Sequence, residues 1–194
     1  MKRVISTGLS PSPTYPPIVP RIPEIELRNA DLTVRRMWGL EQNLLPEEWS
    51  YLQHDSEPNQ NLVGLTEQMC VCTAAQRSYM SKKSAQGREH GIFMYSQWYH
   101  AFQHRPKIIS ITWWNEWAAQ RLPMSDGRTY HFTDNYTQEY SRDIEPMKGG
   151  HGDQYYLWMK EYIRAYRNIE ECPVLVESGY ENQAKQIAVS KYGT

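Results

Sequence analysis

The sequence predicts an α/β fold in which parallel strands alternate with helices, and three observations carry that prediction. Apolar β-branched runs such as Ile108-Ile109-Ser110-Ile111-Thr112 are nearly continuous, the mark of strands buried on both faces. Tyr95, Trp98, Tyr99 and Phe102 recur at i, i+3, i+4 and i+7, the stripe of a helix packed on a sheet. Strand, helix, strand, long loop and helix then succeed one another, the cadence of β/α architecture. A full eightfold barrel takes about 250 residues, whereas this chain has 194. The expectation is therefore the carboxyl-terminal part of a (β/α)8 TIM-like barrel, incomplete, with two unpaired sheet edges.

Each element has its local reason. Residues 1–30 read as an irregular lead-in, because Pro11, Pro13, Pro16, Pro17, Pro20 and Pro23 deny both helix and central strand. The partial barrel spans 31–168 and opens with a strand over 32–38. Residues 46–49 suit a short helical piece, with Pro46 in its first turn and Glu47 and Glu48 near its positive end. A second short strand over 50–53 delivers His54 and Asp55 to a loop, and a third covers 68–73. Cys70 and Cys72 share one face of it and read as buried thiols. A helix over 91–104 closes at Pro106, and the strand over 108–112 follows. Tyr155, Met159, Tyr162, Ile163 and Tyr166 mark the next helix, with Asp153 as its N-cap or first-turn acid. Lys160, Arg164 and Arg167 lie toward that helix's negative end. Residues 169–194 read as a tail or the start of a further module, with a strand beginning near Cys172. Trp38 and Trp98 are expected in the core; His90, His100, His104 and His131 are expected on the surface or on helix faces.

Composition narrows the function. A net charge of −1 gives no reason to expect nucleic acid or an anionic membrane surface. No apolar run approaches the roughly 20 residues needed to span a bilayer. Met1-Lys2-Arg3-Val4-Ile5-Ser6 lacks the apolar stretch of a secretory signal, although a secreted or cell-envelope parent is compatible with the rest. Cys-x-x-Cys and acidic calcium-loop patterns are absent, so neither a metal nor another cofactor is expected. Fourteen Tyr and seven Trp stand against three Phe, a balance suited to surfaces that stack and hydrogen-bond at once. Oligomeric state is not legible.

The chemistry concentrates where the 108–112 strand ends, in Trp113-Trp114-Asn115-Glu116-Trp117. Indole faces stack on pyranose rings, and an apolar cage lets a carboxyl work as acid or base near neutral pH. The three indoles cannot all be core, because alternation sends neighbours to opposite faces. Asn115 suits a sugar hydroxyl, and Glu116 suits proton transfer beside it; a structural ion pair with Arg121 or Arg128 is the plain alternative. Glycoside cleavage generally needs two carboxyl groups, about 5 Å or roughly 6.5–9.5 Å apart according to stereochemistry. Glu145, fixed in extended backbone by Pro146, is the first choice of partner, then Asp143, then Glu139. Pairing of Arg142 with Asp143 or Glu145 inside the loop is the alternative there. Lys148-Gly149-Gly150-His151-Gly152-Asp153 has neither dinucleotide nor P-loop spacing and reads as a turn into the helix, with His151 near the site. His54 and Asp55 are candidates for the same mouth, since barrel strand ends converge.

Trp114-Asn115-Glu116-Trp117-Ala118, then Asp143-Ile144-Glu145-Pro146 and a Gly-rich lead into a Tyr-rich helix, resembles a known pattern. It is similar to the glycoside hydrolase family 99-like proteins and related bacterial polysaccharide-locus proteins. Arg35-Arg36-Met37-Trp38-Gly39 and Glu67-Gln68-Met69 extend the likeness, which covers about residues 31–168. The resemblance implies a (β/α)8 barrel and endo-acting hydrolysis of glycans, best known for mannose-containing ones. The family's first motif carboxylate carries over to Glu116, and that of its Glu-Pro to Glu145. Ala119 stands where family 99 has its general acid, and residues 120–142 separate the two motifs more widely than there. The acid role then falls to another carboxylate such as Glu145, or the protein binds an oligo- or polysaccharide without cleaving it.

Overall fold

Val4-Ile5 and Thr33-Val34 are β-branched pairs, and both enter strands that lie side by side. The computed structural model describes residues 4–6, 33–39, 48–50, 59–60, 66–75, 86–115, 121–123, 130–132 and 137–193. The chain divides into two units, Met1–Cys70 with Pro106–Ser110, and Val71–Arg105 with Ile111–Thr194.

In the first unit, β1 (Val4–Ser6), β2 (Thr33–Gly39) and β3 (Glu48–Ser50) are hydrogen-bonded in that order, both pairs parallel. Val4 stands opposite Thr33 and Ser6 opposite Arg35, while the β2–β3 register shifts between Arg36 and Gly39. A strand thus sits inside the proline-rich lead-in, at its start, where no proline interrupts the chain before Pro11. Glu48 and Trp49 are in β3 rather than a helix: pairing with β2 outweighs the weak helix-start signals around Pro46. β4 (Asn59–Gln60) pairs antiparallel with β5 (Thr66–Cys72), and β6 (Ile108–Thr112) completes a sheet ordered β4-β5-β6. Buried polar groups on these strands are matched. Trp49 Nε1 donates to Glu67 Oε2 at 3.1 Å, and Gln68 Nε2 donates to Ser110 Oγ at 3.0 Å. Cys70 and Cys72 are buried free thiols, as the sequence reading expects.

The second unit holds the last residues of β5 and β6, a hairpin of β7 (Arg121–Pro123) and β8 (Tyr130–Phe132), and three helices. These are α1 (Ile92–His104), α2 (Gln154–Arg167) and α3 (Glu181–Tyr192). A 3-10 turn, Glu89–Gly91, leads into α1 through three successive positive φ angles of 50°, 58° and 92°. Only the last is free of side-chain strain, and a Cβ on Gly91 would run into the Trp158 ring. The turn is held by the Glu177 N–H donating to the His90 carbonyl at 2.9 Å and by the His90 ring stacked on Tyr180 at 3.9 Å.

Nearly every side chain of α1 is buried, not only the predicted stripe. A helix apolar around its whole circumference is a core helix. Trp98, 1% exposed, stacks on Tyr162 of α2 with centroids 5.0 Å apart. His100 lies on a helix face, as expected, but that face is buried because α3, in the stretch read as a tail or the start of a further module, lies against it: the Tyr192 ring stacks on His100 at 4.1 Å. His104 follows one turn later, its ring edge-on to His100 at 4.6 Å, and no metal-binding group of three His, Cys, Asp or Glu is found among the described residues. α1 ends at Arg105 in the left-handed region, with its N–H returning to the Ala101 carbonyl. The Arg105 guanidinium donates to the Tyr166 and Glu170 carbonyls at the carboxyl end of α2, where a cation is favoured.

The buried face of α2 is Tyr155, Trp158, Tyr162 and Ala165; Tyr155 and Tyr162 belong to the predicted stripe, while its Met159, Ile163 and Tyr166 are half-buried. Asp153 is at the N-cap position but makes no side-chain cap. Residues 172–177 are irregular, not a strand.

Candidate functional site

The residues leaving β6 bend at a cis Thr112–Trp113 peptide and are met by a loop that arrives from 30 residues further along the chain. Ser141, Arg142, Asp143 and Ile144 in that loop are buried although they form no regular structure. A buried loop must satisfy its backbone, and several of these groups find partners close by. The Ile144 N–H is shared between the Trp113 and Trp114 carbonyls at 3.1 Å each, and the Glu145 N–H donates to the Trp114 carbonyl at 3.0 Å. The Asp143 N–H donates to Ser141 Oγ at 3.1 Å, and Thr73 Oγ1 donates to the Ser141 carbonyl at 3.5 Å.

These bonds bring two predicted site residues together. Asn115 Nδ2 donates to Glu145 Oε2 at 2.8 Å, with Asn115 exposed and Glu145 at the edge of burial. Beside them Trp114 is 49% exposed, with its ring edge-on to Tyr156 at 5.8 Å. Lys160 Nζ lies 5.5 Å from the Tyr156 ring centre. Trp113 takes the opposite role, half-buried with the Arg142 guanidinium 4.0 Å above its ring. Asp143, 1% exposed, is turned into the protein. Glu139 accepts the Glu89 N–H on Oε1 at 2.8 Å. Glu116, Trp117, Ala119, His54 and Asp55 lie outside the described residues.

Arg88 has no sequence signal, yet it organises the loop. It is buried, and its Nε donates to the Gln138 carbonyl at 3.1 Å while Nη2 donates to the Asp143 carbonyl at 2.6 Å. Its charge sits 4.3 Å over the Tyr155 ring. Burial lowers its pKa from the usual value, opposed by Tyr155, Asp143 and Glu139. His151 packs edge-on against the same Tyr155 at 5.1 Å. Burial, then the nearby Arg88 charge, lowers the His151 pKa to about 4, so this ring is neutral at pH 7.

An exposed indole, an amide held against a carboxylate and a neighbouring Tyr make a surface that can stack on a ring and bond its hydroxyls. Neither a protein-family model, nor a curated protein, nor a solved structure matches the chain. Among the described residues, no helix is long and apolar enough to cross a membrane.

Proposed function

We propose that the chain is a glycoside hydrolase-like protein acting on glycosidic bonds of a polysaccharide or glycan. Glu116 is its central carboxylate and Glu145 the partner, on a framework that is the carboxyl-terminal part of a β/α barrel. The observation that supports this most is the Asn115–Glu145 hydrogen bond beside the exposed face of Trp114. It joins the two motifs on which the resemblance to family 99-like proteins rests. The parallel order β1-β2-β3 is in keeping with a β/α framework. Ala119, in place of the family's general acid, favours a second reading in which the chain holds a saccharide without cleaving it.

Binding tests what the two readings share. Tryptophan fluorescence of the full chain, titrated with a panel of neutral and acidic polysaccharides, is expected to show saturable binding to at least one. Trp114→Ala is expected to weaken it about tenfold, the loss of one stacking contact. Absence of binding across the panel contradicts both readings.

A further inference from the structure

Arg88 and His151 are polar groups whose burial leaves hydrogen-bonding capacity unused. Arg88 is 3% exposed, and with Nε and Nη2 committed to loop carbonyls its Nη1 makes no hydrogen bond. Neither ring nitrogen of His151 has a hydrogen-bond partner, although both are shut off from solvent. Leaving such polar groups unmatched costs about 1–3 kcal/mol each, so the persistence of the Arg88 Nη1 donor beside the single N–H of the neutral His151 ring calls for a ligand that accepts from both. Tyr155 links the pair, with Arg88 over its face and His151 at its edge. The carboxylates that act on Arg88 are Asp143 and Glu139; among the described residues the charge that acts on His151 is that of Arg88. The His151 side of the cluster is therefore electropositive.

The turn that carries His151 borders open space on its outer side. His151 sits in the turn between Met147 and Gly152, whose N–H groups and carbonyls bond across it. Gly149 and Gly152, both at positive φ, have open space where a side chain would project, and Lys148 beside them is exposed.

We propose that the Arg88 Nη1 and His151 ring N–H donors form a binding site for an oxyanion carried by the saccharide, a uronate carboxylate or a sugar sulfate, which makes the ligand an acidic glycan. The inference rests on the glycan reading and narrows it. Arg88 supplies a charge-assisted bond and His151 a neutral donor, the pairing that distinguishes an oxyanion from a hydroxyl.

His151 reports on its own site. Its imidazole titration is followed by NMR in the full chain, alone and with glucuronate, glucose 6-sulfate, glucose or inorganic sulfate. An oxyanion beside the ring favours its charged form, so glucuronate or glucose 6-sulfate is expected to raise the pKa by about one unit or more, with glucose without effect. Arg88→Lys, which keeps the charge and loses the planar fork, is expected to weaken that saccharide about tenfold, with its amide spectrum showing whether the fold persists. A shift with glucose equal to that with glucuronate overturns the proposal, as does no shift with any of the four. A shift with inorganic sulfate alone overturns the glycan as carrier. Polysaccharide binding by fluorescence with an unmoved His151 overturns the acidic-glycan inference and leaves the glycan reading standing.

Discussion

Arg88 touches almost no solvent, so each bond it makes replaces one that water would otherwise supply. Its two loop carbonyls, those of Gln138 and Asp143, lose a donor if the side chain is cut back, and that of Asp143 lies in a buried residue. Arg88→Ala is expected to cost about 3 kcal/mol in urea unfolding, and a loss well under 1 kcal/mol would show that the loop does not depend on it. His151 carries a pH signature. Its folded pKa of about 4 lies below the ordinary 6.5, so between those values the unfolded chain binds more protons than the folded one. Stability therefore falls as pH falls through that window and is unaffected by this group above it. After screening of a partly exposed ring the loss is about 1 kcal/mol. His151→Gln is expected to lack that loss when unfolding midpoints at pH 7.5 and pH 4 are compared with wild type. At this scale the sequence singles out Asn115 and Glu145, each in a distinctive run with Trp or Pro beside it, and the two side chains meet in the structure. Arg88 was not legible, since a lone Arg before a helix looks the same whether it faces water or clamps a loop.

The helices were legible where their apolar spacing is strong. α1, α2 and the strand β6 fall within a residue or two of the predicted limits. What failed was context. The stripe on α2 turns out to be Tyr155, Trp158, Tyr162 and Ala165, because long aromatic side chains on both faces make the sequence ambiguous about which one packs. α3 went unseen because its buried face consists of Ala184 and Ala188, too small to register as an apolar stripe. Those small side chains, both fully buried, leave no room for a larger one. Ala188→Leu is expected to destabilise the chain by about 1–3 kcal/mol, read as a lower melting temperature; an unchanged one would mean that the α3 face adapts. Trp98→Ala removes the ring that stacks on Tyr162 and meets Phe102 and Tyr166 edge-on. About 3–5 kcal/mol is expected from denaturant titration, and a loss under 1 kcal/mol would contradict its place at the centre of the helical packing.

For the molecule as a whole, the candidate site is assembled by the second unit: the residues leaving β6, the loop of buried residues 141–144 with half-buried Glu145, and the start of α2. Sequence spacing could not anticipate that a stretch with the composition of a solvated loop would be buried, since Ser141, Arg142 and Asp143 are residue types ordinarily found outside. Arg88 and the β6 exit supply the bonds that make the burial tolerable. The central claim is that Glu116 and Glu145 together cleave a glycosidic bond, and release of reducing ends from a polysaccharide panel tests it most directly. Wild type is expected to release them from an acidic polysaccharide, with Glu116→Gln and Glu145→Gln each reducing the rate by about a hundredfold or more. Unchanged turnover in either variant, or none by the wild type on any member of the panel, would contradict the account.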